Sequence, residues 1–202
     1  NMLSDRINNL SISQTLAMAA KARELKALGK DIISLSLGEP DFNTPDFIKE
    51  AAKQAIDENW STYSPVEGYV ELKQAIVKKF KRDNGLDYTP ANIVVSTGAK
   101  QSLYNIAQAM INEGDEVILP APYWVSYSEI VKMAGGIPVE VPTSVASDFK
   151  ITPEQLEAAI TPKTKAIVPV HLVGQNANME ALLQLAKENN LYIVEDACQS
   201  IG

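Results

Sequence analysis

Apolar positions follow two different rhythms along this chain, and the change falls near residue 90. In the first part, "TLAMAAKARELKALGKD" sets Leu16, Ala20, Leu25 and Leu28 at helix-like intervals and stops at Gly29, a residue suited to closing a helix. "IISLSLGEPDFNTP" follows as a short strand that breaks at Gly38. Pro45 then opens a second helix, "PDFIKEAAKQAIDEN", because proline at a first helical position gives up only an amide that has no partner there. A third amphipathic helix is predicted over "VELKQAIVKKFKRDNG", with Gly85 as its terminator.

From about residue 90, short β-rich runs alternate with helical stretches. The predicted strands are "NIVVST", "DEVILPA", "IPVEVP", "KAIVPVHL" and "LYIVED"; the predicted helices are "KQSLYNIAQAMINEG", "VSYSEIVKMAGG", "TPEQLEAAI" and "NMEALLQLAKENN". Strands spaced by helices of this length form βαβ units, which implies an α/β fold with a mainly parallel sheet and helices on both faces. A boundary is expected between Gly38 and Pro45, where the arm and first helix meet the α/β body.

Charge and rare residues narrow the function. The net charge of −7 argues against a nucleic-acid partner, whose phosphates call for a basic face. One cysteine, Cys198, and one histidine, His171, build neither a disulfide framework nor a usual zinc site, so no metal is expected and both read as packing residues. No apolar run reaches the roughly 20 residues that span a bilayer, and "NMLSDRINNLSISQ" is too polar for a signal peptide, so the expected location is the cytoplasm and the expected partners are small molecules.

Three local features carry chemistry. Ser96, Thr97, Gly98 and Ala99 lie in a strand-to-helix turn, where small residues let backbone amides approach an anion at a helix N-terminus; the same turn also occurs in α/β proteins that bind nothing there. Tyr123, Trp124 and Tyr127 follow the next strand, placed either to stack on a flat ring or to pack beneath a loop. Asp196 tips the apolar "LYIVED", a costly place for a carboxylate without a cation or strong donors, unless it caps a following helix. Only Arg6, Arg23 and Arg82 supply guanidinium, none of them near that edge, so a protonated ring nitrogen is a fitting counter-ion. An anion cradle, a stacking ring and a buried carboxylate on one sheet edge match the phosphate, the flat ring and the pyridine nitrogen of pyridoxal 5′-phosphate.

The segments "SLGEPDFNTP", "YSPVEGYVELKQAI", "VSTGAKQSLYN", "GDEVILPAPYWVSY" and "ITPEQLEAAITPKTKAI" stand in order in residues 1 to about 167, which resemble the N-terminal part of class I pyridoxal-phosphate aminotransferases of the aspartate aminotransferase type. The resemblance implies that Gly98, Ala99 and Lys100 form the phosphate turn, that Trp124 stacks on the cofactor ring and borders the substrate, and that Gly38 lies against the substrate carboxylate. It also implies a homodimer in which Tyr63 reaches the neighbouring subunit's phosphate, and amino-acid and 2-oxo-acid substrates. Residues 1–44 would then be the arm with a portion of the small domain, and 45–202 an incomplete cofactor-binding large domain.

After "TKAIVPV" the Asn-Pro-Thr-Gly turn of that pattern is missing. "PVHLVGQNANMEALLQLAKENNLYIVEDACQSIG" is similar instead to sugar aminotransferases of the DegT type, which puts Asp196 at the pyridine nitrogen and Gln199 near the cofactor's 3′ oxygen. The family's Schiff-base lysine belongs to a Ser-x-x-Lys segment further on than Gly202, and no lysine here matches it, so no catalytic residue is assigned. The leading expectation is an N-terminal portion of an aminotransferase, inactive alone. A nucleotide-sugar aminotransferase and a non-catalytic or chimeric chain that binds at most the cofactor phosphate are the alternatives.

Overall fold

The computed structural model describes residues 2–200; the expectation attached to Gly202 lies outside them. The chain divides into two compact units, one formed by the described residues up to Ala17 together with those from Gly98 onward, the other by Met18–Thr97.

The first unit holds a four-stranded, all-parallel sheet in the order β2-β1-β3-β4, with β1 Glu116–Ala121, β2 Ile137–Pro142, β3 Thr164–Ile167 and β4 Tyr192–Ile193. Its register pairs Ile118 with Val139 on one side and Ile167 on the other. Beyond the named strands a parallel bridge joins Val170 to Asp196. Helices α5 (Ala99–Met110) and α6 (Ser126–Met133) cover one face, where Val117 and Leu119 pack with Tyr127, Val131, Leu103 and Ile111. On the opposite face α7 (Pro153–Ala159) and α8 (Met179–Glu188) bring Leu156 and Ala186 onto Ile118 and Ile167. The split arises from the two-residue period of a strand: Val117 and Leu119 point one way, Ile118 the other. With both faces covered, the strands must be apolar throughout, as "EVILPA" is.

Helix ends obey local chemistry. Thr152 accepts from the Gln155 amide at the start of α7, with Gln155 answering the Thr152 amide, and Asn178 accepts from the Ala181 amide at the start of α8. The arm contains the short helix α1 (Asp5–Asn8) and is tied to α6 where the Ser11 amide donates to Glu129 Oε2 at 2.9 Å.

The second unit contains α3 (Asp46–Asp57), α4 (Val70–Lys79) and most of α2 (Gln14–Ala27), with Trp60 edge-on to Tyr69 at 5.0 Å. A π-helical turn over Phe80–Asn84 extends α4 before Gly85 closes it at φ 70°. Two expected strands are absent: neither "IISLSLG" nor "NIVVST" joins a ladder. A strand requires a partner edge, and in the second run the Val95 amide meets the Glu67 carbonyl at 3.0 Å without forming a ladder. Ile33 and Leu35 accordingly stand 87% and 91% exposed.

Candidate active site

The strand order has a reversal that locates a crevice. From β1 the chain passes through α6 to β2 on one side, whereas from β3 it passes through α8 to β4 on the other, so the carboxyl ends of β1 and β3 flank a topological switch point. Trp124 comes after β1, His171 after β3 and Asp196 after β4.

A chain of contacts links three of the sequence-predicted positions. Lys100, in the first turn of α5, holds its Nζ 4.8 Å from the centre of the Trp124 ring, a cation–π contact. Trp124 meets Tyr127 edge-on at 5.5 Å. The Tyr127 hydroxyl donates to Asp196 Oδ2. Gly98 precedes α5 at φ 80° and ψ 164°, a conformation essentially confined to glycine, and open space surrounds the place a Cβ would occupy. Its backbone shape, rather than crowding, demands glycine. Having no side chain, Gly98 also supplies no cap to the first turn of α5.

Asp196 is 8% exposed. Burial works against its charge, but hydrogen bonds from Cys198, through side chain and backbone N–H, and from the Tyr127 hydroxyl outweigh it and hold the carboxyl below its ordinary range. The same contacts push its partners the other way: Tyr127 is raised by burial and by Asp196, and the Cys198 thiol is pushed up to about 11 for the same two reasons. The partners of Asp196 are therefore neutral donors, and no ion pair to it occurs among the described residues.

Of the two residues read as packing, Cys198 differs from that expectation and His171 does not. Cys198 is exposed, because it lies in the turn beyond β4 rather than beneath the sheet. His171 is buried, yet it is a hub of hydrogen bonds to Glu195, Ala177 and Ser200. Gln199 turns its Oε1 to the Val173 amide at 3.0 Å. Tyr63 and Gly38 belong to the second unit; Tyr63 is fully exposed. The sequence pattern does not mark Tyr127 as a donor to Asp196, although its three-residue spacing from Trp124 is the available signal. Among the described residues no cluster of three or more His, Cys, Asp or Glu side chains could hold a metal ion, and no helix is long and apolar enough to cross a membrane.

The parallel sheet, covered by helices on both faces, defines an α/β protein with a topological switch point between β1 and β3. The chain belongs to the aminotransferase class I and II family, whose pattern matches residues 30–198. That match runs past residue 167 without a change of family. The chain is 49% identical over 201 residues to an aspartate aminotransferase of Bacillus sp. (strain YM-2), an alignment covering 96% of this chain and 51% of that one. It is 51% identical over 201 residues to an aspartate/prephenate aminotransferase of Cereibacter sphaeroides, covering 96% and 50%. The structure of the Thermus thermophilus aspartate aminotransferase with maleate superposes with a TM-score of 0.90 at 43% identity, over 96% of this chain and 53% of that one. The chain thus spans about half the length of the relatives it matches.

Proposed function

We propose that this chain forms the cofactor-binding part of a pyridoxal-phosphate-dependent aminotransferase that moves an amino group between an amino acid such as aspartate and a 2-oxo acid. The observation that carries the reading is a buried, ionised Asp196 with only neutral donors, joined through Tyr127 to the Trp124 ring at the switch-point edge. A carboxylate that keeps its charge at 8% exposure suits a cationic ring nitrogen, so the residues present fit the group.

In this reading Gly98, Ala99 and Lys100 take the phosphate at the start of α5, Trp124 takes the ring face and Gln199 approaches the 3′ oxygen. Asp196 holds a proton on the ring nitrogen, and Tyr127 holds Asp196. Gly38 receives the substrate carboxylate, and Tyr63 serves the phosphate of a second subunit in a homodimer. When bound, the cofactor supplies the electron sink for chemistry at the substrate's α-carbon. No lysine of this chain is assigned to transfer a proton there, so the chain alone is expected not to transaminate.

Titration with pyridoxal 5′-phosphate tests the reading. Hydrogen bonds to charged groups contribute about 1.5–3 kcal/mol, so Asp196→Asn should weaken binding about 10- to 150-fold. Absence of binding up to millimolar cofactor would reject the reading. The DegT-like stretch from residue 168 makes nucleotide sugars a second substrate class, to be compared with 2-oxo acids in a complete enzyme.

A further inference from the structure

We infer that His171 is a positioning residue for Asp196, acting as an imidazole with its proton on Nε2; the inference rests on the cofactor reading above. Three bonds converge on it besides its packing. The Ala177 amide lies 3.2 Å from Nδ1, and a backbone N–H only donates, so Nδ1 is the acceptor and the ring proton sits on Nε2. That proton points at Glu195 Oε2, 2.8 Å away. The Ser200 hydroxyl donates to the His171 carbonyl at 3.0 Å. The backbone completes the clamp: the His171 amide donates to the Asp196 carbonyl at 3.0 Å and the Asp196 amide to the Pro169 carbonyl at 2.9 Å.

The geometry explains why a buried histidine stands at the end of β3. Strand β4 has only two ladder residues, Tyr192 and Ile193, and beyond them sheet pairing holds the segment from Val194 to Ser200 only as far as Asp196, through the Val194 amide on the Ile167 carbonyl and the Val170–Asp196 bridge. His171 grips that segment on both sides of Asp196, at Glu195 through Nε2 and at Ser200 through its carbonyl. Its Nδ1 ties that grip to the 172–177 turn, to which Gln199 is also bonded. The carboxylate of Asp196 is thereby aimed toward Tyr127 and the Trp124 side of the crevice. The hydrogen bonds to the two carboxylate oxygens of Asp196 come from Tyr127 and Cys198, not from the His171 ring, so His171 acts through position.

The test is a double-mutant cycle read by pyridoxal 5′-phosphate affinity, with His171→Phe made in the parent and in the Asp196→Asn background. Positioning through Asp196 predicts a loss of about tenfold or more in the parent and little change when Asp196 is already Asn. Equal losses in both backgrounds, or parental affinity for His171→Phe, overturn the inference and leave the cofactor reading standing. Parental affinity for Asp196→Asn alone sinks the cofactor reading and the inference with it. Should His171→Phe fail to fold, Glu195→Ala carries the same cycle, because the Glu195 side chain is 54% exposed and its truncation removes only the acceptor for Nε2–H; a loss confined to the Asp196 background supports the clamp, and no loss overturns it. His171 is the sole histidine, so a long-range proton–nitrogen spectrum reports it alone: an Nε2–H tautomer is expected, and an Nδ1–H tautomer contradicts the inference.

Discussion

Tyr127→Phe removes one oxygen from the middle of the contact chain and leaves the ring in place. The side chain is 9% exposed, packs with Val117, Leu119 and Val131, and donates to an Asp196 that is 8% exposed. Loss of a hydrogen bond to a buried charge costs about 1.5–3 kcal/mol. With a urea dependence of about 1–3 kcal/mol per molar, the unfolding midpoint at pH 7 should fall by about 1 M. The pH dependence gives a sharper check. Asp196 is held below its ordinary range, so its contribution is present above the unfolded carboxyl value of about 3.9 and disappears as pH falls through the lower folded value. Parent and variant should therefore differ most near pH 7, begin to approach each other only below about pH 4, and converge once the pH lies below the lowered folded value, where only a neutral hydrogen bond of about 1 kcal/mol separates them. Urea unfolding followed by circular dichroism at both pH values makes the comparison. A difference under about 0.5 kcal/mol at pH 7, the ordinary scatter of surface substitutions, would refute the reasoning. So would a difference that is the same in acid.

Other substitutions test the packing. Ile118, 1% exposed at the centre of the sheet, should lose about 2–5 kcal/mol as Ala by urea unfolding. A Cβ on Gly136 would come within 2.7 Å of Ile111 Cγ2 and 3.0 Å of Val131 Cγ1, so Gly136→Ala should destabilise by about 1–3 kcal/mol. Val173 sits at φ 48° and is 82% exposed, a strained setting for a β-branched residue, so Val173→Asn should raise thermal stability by about 1 kcal/mol. Trp124→Ala should weaken pyridoxal 5′-phosphate binding by about 1–2 kcal/mol in the same titration used for Asp196.

The α/β body is readable because its strands are bounded by turn residues and β1, β2 and β3 are each followed by a helix before the next strand, as "DEVILPA" and "IPVEVP" show. The expected strands that do not form fail for a reason that periodicity cannot carry. "NIVVST" is as apolar as β1, but a ladder also needs a neighbouring edge, and Val95 meets Glu67 without forming one. At the site, Asp196 is legible from the cost of a carboxylate on an apolar strand. Its actual donors are not: Tyr127 stands 69 positions away and Cys198 contributes a backbone amide, neither of which a local pattern marks. His171 reads only as a packing residue because a single histidine has no spacing to read, and its partners Glu195, Ala177 and Ser200 meet only when β3 and β4 align.

The central claim is that Asp196 serves a cationic ring nitrogen, and the most direct measurement compares pyridoxal 5′-phosphate with an analogue in which carbon replaces that nitrogen. The parent chain should prefer the natural cofactor by about tenfold or more, the equivalent of about 1.4 kcal/mol, and Asp196→Asn should lose the preference. Equal affinity of the parent for both compounds, or a preference that survives in Asp196→Asn, would contradict the account.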